Sequence, residues 1–126
     1  MNPAVADLLN RVRQPFNVNS IALCAAVAAL DDMEFVARSY AENLQGLRQI
    51  EQGAKQLGLD WIASHGNFIT IRVGRAMEVY KRLLRRGVIV RPVGGGYELP
   101  EHLRVTVGTE AENGKFLAAL GASLKE

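Results

Sequence analysis

Cysteine is nearly absent from this chain: Cys24 stands alone among 126 residues. An internal disulfide is thereby excluded, which favours a reducing compartment or one where redox state is immaterial. Histidine is scarce as well, with only His65 and His102. One cysteine and two distant histidines offer no C-x-x-C, H-x-x-x-H or EF-hand spacing, so no metal site is expected. A nucleophile triad is equally hard to assemble, because Ser64 and His65 are adjacent and their side chains would point apart on a strand. An excess of one charge is lacking too. The formal net charge is +2, too weak a field to argue for nucleic acid or a membrane surface. The longest mostly apolar stretch, Ile21 to Leu30, is short and alanine-rich, well under what a bilayer span needs. The N-terminal residues reach Asp7 and Arg11 without a signal-peptide apolar run, and the expected location is cytoplasmic.

What is present reads as one globular domain over residues 1–126. Hydrophobic residues make up 48% and charged residues 22%, a composition without the signature of disorder. Asn2-Pro3 looks like an N-cap followed by proline at the first helical position, with Val5, Leu8, Leu9 and Val12 as an apolar stripe, and Gln14-Pro15 ends this helix. A second helix starts near Asn17 to Asn19 and runs through Leu30; its many alanines allow close burial against other elements. Asp31 with Glu34 has the spacing of a capping box for a third helix, Asp32 to Leu57. There Val36, Tyr40, Leu44, Leu47, Ile50, Ala54 and Leu57 form the stripe, and Gly46 and Gly53 permit close packing or a bend. Gly58 stops it.

Beyond Gly58 the period changes. Leu59 to Ala63 and Phe68 to Val73 read as strands around a Ser64-His65-Gly66 turn, with Phe68, Thr70 and Arg72 on one face and Ile69, Ile71 and Val73 on the other. Arg75 to Arg86 is an amphipathic helix with Ala76, Tyr80, Leu83 and Leu84 inward. Val88 to Arg91 and Leu103 to Val107 are strands, and Thr109 with Glu112 caps a closing helix that buries Phe116, Leu117 and Leu120. The expected fold class is α+β, a small antiparallel or mixed sheet with helices packed on one face.

The chemistry-bearing feature is a pair of arginines. Arg91 and Arg104 end apolar runs that read as neighbouring strands, with the glycine-rich turn Gly94-Gly95-Gly96 between them. Guanidinium groups bind carboxylate or phosphate bidentately and stay charged at physiological pH. The alternative is that Arg91 pairs with Glu98 or Glu101 while Arg104 covers an edge strand. The glycine run lacks the Lys and Ser/Thr of a phosphate-binding loop. Lys81, Arg82, Arg85 and Arg86, with Arg75 nearby, make a basic helix face, which reads as a solvated surface or as a nucleic-acid contact. No aromatic pair on the strands supports the second. Asp31, Asp32 and Glu34 read as favourable charge at a helix N-terminus. Cys24 reads as a small buried residue, His65 as part of a polar turn and His102 as a surface loop residue.

Gly87–Pro92 (GVIVRP), then Leu103–Thr109 (LRVTVGT) with Glu112-Asn113, resemble the C-terminal end of histidinol-phosphate aminotransferases. Arg13–Asn19 (RQPFNVN), Glu42–Arg48 (ENLQGLR) and Ser64–Phe68 (SHGNF) resemble segments of the same family in the same order, so the resemblance covers essentially the whole chain. The resemblance implies a fold type I enzyme of histidine biosynthesis. It would use pyridoxal phosphate to move an amino group between histidinol phosphate and 2-oxoglutarate. It implies that Arg104 holds the substrate's carboxylate or phosphate, that Arg91 assists with phosphate, and that Asn67 and the Asn17/Asn19 loop lie near the substrate mouth. It further implies that this chain is the small C-terminal domain. The large domain, with the Schiff-base lysine in a Ser-x-x-Lys setting, is not in this sequence: Lys55, Lys81, Lys115 and Lys125 have no such setting. The isolated chain is therefore expected to bind no cofactor and to be inactive. Its expected partners are a small phosphorylated or carboxylate substrate, the large domain and a second copy in a homodimer, with neither nucleic acid nor membrane. A free-standing anion-binding or regulatory α+β module, and a nucleic-acid-binding domain, are the alternative functions.

Overall fold

A computed structural model describes residues 2–14 and 17–126. Pro15, expected to help end the first helix, and Phe16 of the Arg13–Asn19 segment lie outside the described residues. The chain divides into two compact units, Met1–Ala37 and Arg38–Glu126.

The first unit holds helix α1 (Pro3–Val12), helix α2 (Ser20–Asp31) and the start of helix α3 (Met33–Gln56). Asn2 and Asn19 are the N-caps, accepting from the amides of Ala4 and Ala22 at 2.9 and 2.8 Å, which satisfies amides that have no intrahelical partner. The cap of α3 differs from the sequence expectation by one residue. Asp31 is the last residue of α2, and it is Asp32 whose carboxylate accepts from the Phe35 amide at 2.9 Å. The two acidic residues compete for one capping geometry, and Asp32, which lies outside both helices, takes it. None of the described residues of α1 or α2 is buried. Cys24 is exposed rather than buried, because the described residues of the first unit bury no face of α2; Ile21 and Leu30 are 81% and 77% accessible.

The second unit carries the core. Helix α3 buries Leu47, Ile50 and Ala54 on one stripe, whereas Val36 and Tyr40, nearer its start, are exposed. Gly58 ends it in the left-handed conformation (φ 69°), with the Leu59 amide donating back to the Ala54 carbonyl at 3.0 Å, the glycine termination that spares a Cβ clash. Four strands follow: β1 (Trp61–Ile62), β2 (Phe68–Arg72), β3 (Arg91–Pro92) and β4 (His102–Thr106), ordered β1-β2-β4-β3 with every pair antiparallel. Both β1 and β3 are shorter than the sequence pattern suggests. Val88 and Val90 still turn into the core, but Ile89 is 83% exposed and that segment does not pair with β4.

Helix α4 (Ala76–Arg85) crosses from β2 to β3, and helix α5 (Glu110–Leu124) closes the unit. One face of the sheet contributes Ile69, Ile71, Leu103 and Val105 to a single core with Ile50, Val79, Leu83, Phe116 and Leu120 from the three helices, so the α+β class with helices on one face is what forms. On α4 it is Val79, not Leu84, that completes the inward stripe; Leu84 is 40% exposed. Gly46 and Gly53 serve close packing. A Cβ at Gly46 would overlap Val107 Cγ1 and lie 2.9 Å from Asn113 Nδ2, and one at Gly53 would lie 2.5 Å from both Leu117 Cδ atoms. The Thr109–Glu112 capping box is complete, with both reciprocal bonds made.

Candidate functional site

Alternation along a strand sends residues i and i+2 to the same face. Burying Leu103 and Val105 therefore commits His102, Arg104 and Thr106 to the opposite, open face. The ladder then sets Arg91 directly opposite Arg104 and Thr70 on the other side of it. Directly opposed residues share a face with Cβ atoms about 4.5–5.5 Å apart. Two arginines are thus rooted opposite each other on one face, where like charges repel.

Nearby carboxylates do not relieve that repulsion. Glu101 is engaged by Arg72, whose Nε and Nη2 donate to Glu101 Oε2 at 2.8 and 2.7 Å. Among the described residues neither Arg91 nor Arg104 makes an ion pair. The alternative in which Arg91 binds Glu98 or Glu101 is not what the structure shows. Arg104 instead lies over an aromatic ring, its Cζ 4.8 Å from the Phe68 centroid, within cation–π range. Its Nε is buried without a hydrogen-bond partner.

The turn linking the two strands is tied down by backbone bonds from Glu98 to Gly95 (3.1 Å) and from Leu99 to Val93 (3.3 Å). The left-handed residue there is Glu98 (φ 54°), not one of the three glycines. A Cβ on Gly94 would meet Pro100 Cα at 3.1 Å. This connection turns the chain back so that Arg91 and Arg104 share one register.

The structure brings Arg91 and Arg104 together and holds Asn67 at the next position before Phe68. The Asn67 carbonyl accepts from the Val107 amide at 2.8 Å, and Asn67 lines a hollow with Ser39, Glu42, Asn43 and Glu112 that includes neither arginine. Asn17 and Asn19 belong to the first unit, where Asn19 is committed to its cap. The spacing of the two arginines in the sequence does not reveal Phe68 or the Arg72–Glu101 pair beside them. The signal for Phe68 was its place in the Phe68/Thr70/Arg72 alternation.

The remaining polar candidates are structural. His102 opens β4 half-buried, with Nδ1 closed off and unpartnered, rather than sitting in a surface loop. Ser64 caps the turn by accepting from the Gly66 amide at 3.1 Å. The basic face of α4 is not simply solvated. Arg82 donates to the Ser123 carbonyl at 2.9 Å, and both Arg82 and Arg86 reach Glu126. The hydrogen bond from Arg86 is the main cause holding the Glu126 carboxyl below its ordinary range. These partners consume charge that a nucleic-acid surface would keep free. Among the described residues no cluster of three or more His, Cys, Asp or Glu could hold a metal ion, and no helix is long and apolar enough to cross a membrane.

Comparison with known proteins gives one consistent result. The family model for aminotransferase class I and II matches residues 1–120. The chain is 58% identical over 124 residues to a histidinol-phosphate aminotransferase of Methylobacillus flagellatus, covering 98% of this chain and 33% of that protein. It is 62% identical over 120 residues to histidinol-phosphate aminotransferase 1 of Dechloromonas aromatica, covering 95% and 33%. Among solved structures, the histidinol-phosphate aminotransferase of Sinorhizobium meliloti in complex with pyridoxal-5'-phosphate superposes with a TM-score of 0.85. It is 24% identical and covers 98% of this chain and 35% of that one, a likeness of fold. The chain spans about a third of the length of the curated relatives it matches.

Proposed function

Because the chain belongs to the class I and II aminotransferases, we propose that residues 1–126 are the small, C-terminal substrate-recognition domain of a histidinol-phosphate aminotransferase. The carrying observation is the opposed pair Arg91 and Arg104, on an open sheet face and without a carboxylate partner. An oxyanion laid across both guanidinium groups would remove their mutual repulsion and complete their hydrogen bonding. A phosphate, with its double charge and three terminal oxygens, suits two forks better than a carboxylate does. Arg104 is the principal contact in this reading and Arg91 assists, while Asn67, lining a hollow that includes neither arginine, would act only from the edge of the site.

This chain's residues do not by themselves fit pyridoxal phosphate. The four lysines are exposed on helices or in the tail, at Lys55, Lys81, Lys115 and Lys125, and none lies on the sheet face that bears the arginines. When bound in the whole enzyme the cofactor would supply the electron sink for amino-group transfer, held by residues outside this chain. The role of the present residues is to bind and orient the acidic end of the substrate. We place the enzyme in the cytoplasm and expect it to work as a homodimer.

The test is to mix the chain with pyridoxal phosphate, glutamate and an acceptor. No aldimine absorbance band and no transfer are expected, and robust turnover would overturn the proposal. A Ser-x-x-Lys segment in the reading frame upstream of Met1 is the matching expectation for the C-terminal placement. Titration with histidinol phosphate separates this reading from a free-standing anion-binding module. Tight binding by the isolated chain that is lost in Arg104→Ala favours the module, whereas weak binding with the same dependence is expected of the small domain alone.

A further inference from the structure

We propose that Phe68 is a positioning residue for Arg104, fixing which edge of its guanidinium group is offered to an anion. Arg104 stands opposite Thr70 in the ladder, yet its Cζ lies 4.8 Å from the ring of Phe68, two residues further along β2 on the same face. The side chain is therefore laid along the strand rather than projected straight off the sheet. Its Nε is buried and has no hydrogen-bond partner. A buried charged donor without an acceptor is costly, and the ring's negative face is the compensating group that the structure supplies.

Two consequences follow for recognition. With Nε closed off, the side-on Nε/Nη edge is unavailable, and the two terminal Nη groups form the only fork that can meet a ligand. The ring also restricts a long side chain that otherwise samples many rotamers, so less freedom is lost on binding. Phe68 is 38% accessible, open enough for this role and unlike a core phenylalanine. The part assigned to anion binding rests on the proposed function; the orientation of the guanidinium group does not.

The experiment uses the full 126-residue chain. The Arg104 Nε–H resonance and its rotation about Nε–Cζ are followed by 15N NMR, and inorganic phosphate is titrated against the native chain, Phe68→Leu, Phe68→Tyr and Arg104→Ala. Thermal melts establish that each variant is folded. The native Arg104 signal should carry a ring-current shift that Phe68→Leu abolishes and Phe68→Tyr retains. Phosphate affinity should fall roughly two- to fivefold in Phe68→Leu, the range that an exposed cation–π contact implies, and recover in Phe68→Tyr. Unchanged affinity in Phe68→Leu, alongside loss in Arg104→Ala, overturns the positioning role while leaving the anion site standing. If phosphate binds none of the proteins, the anion reading fails. The orientation claim is then decided by the NMR signal alone, and an Arg104 resonance indifferent to residue 68 overturns it.

Discussion

At the scale of single residues, Arg91 and Arg104 set two like charges opposite each other across the β3–β4 ladder, a placement that costs stability. Arg91→Gln removes one of two like charges without breaking any contact, since Arg91 is exposed and makes no ion pair among the described residues. Its urea midpoint should rise by an amount corresponding to about 0.2–1 kcal/mol, the size of a cross-strand charge term, while phosphate affinity falls. A loss of stability above 1 kcal/mol would show that Arg91 is part of the fold. Gly46 and Gly53 supply a second contrast. At Gly46 a new Cβ meets Val107 and the buried, twice-bonded amide of Asn113, which donates to the Gly108 carbonyl and accepts from its amide. Gly46→Ala should cost about 1–3 kcal/mol by overpacking. At Gly53 the obstacle is the flexible end of Leu117, and the helix propensity gain of about 1 kcal/mol offsets it. Gly53→Ala should therefore be near neutral, and equal losses at the two sites in denaturant melts would refute the distinction. The glycines of α3 were visible in the sequence; which of them faces an immovable neighbour depends on what α5 places there.

At the scale of elements, α5 is the best-specified piece. Thr109 and Glu112 announce its start by spacing alone, and the structure completes both bonds of the capping box. Thr109→Ala should cost about 1 kcal/mol and loosen Gly108, which Asn113 holds from the first turn of the same helix. The carboxyl of Glu112 is held below its ordinary range by hydrogen bonds from the Thr109 amide and then its hydroxyl; Arg86 does the same for Glu126. A depressed carboxyl stabilises the folded state above the unfolded-state pKa, and that contribution is lost as pH falls through the folded value. The thermal midpoint should hold from pH 7 to about pH 5 and then fall, and Glu112→Gln should start lower at pH 7 and show a shallower acid limb. An acid limb identical to that of the native chain would remove Glu112 from the account. By contrast, Asp31 and Asp32 show the limit of a spacing rule. Two adjacent carboxylates satisfy it almost equally, and the choice falls to the residue at which the backbone leaves one helix and enters the next. Strands β1 and β3 show another limit. Apolar runs mark residues that are buried, and Val88 and Val90 are buried without pairing.

At the scale of the whole molecule, the two compact units differ in what holds them. Residues 38–126 share one core of helix and sheet side chains, while the described residues of the first 37 have none buried. Amide hydrogen exchange should therefore be fast throughout α1 and α2 and slow in β2, β4 and α5. A segment beginning at Arg38 should still melt cooperatively, and loss of its transition would show that the first unit is needed for folding. The run of exposed apolar side chains in the first unit, Leu8, Ile21, Val27 and Leu30 among them, should make the chain self-associate as concentration rises in sedimentation measurements. Helix positions, cap types, the inward face of β2 and β4, the arginine pair and the family resemblance were all readable from the sequence, because they depend on local periodicity and on residue types a few positions apart. Only the tertiary structure decided that Arg91 and Arg104 oppose each other in register, that Glu101 belongs to Arg72, that Arg82 and Arg86 are spent on the end of α5, and that Phe68 lies beneath Arg104. Each of these joins residues from different strands or helices. Strand pairing and burial select among partners that no local spacing can rank.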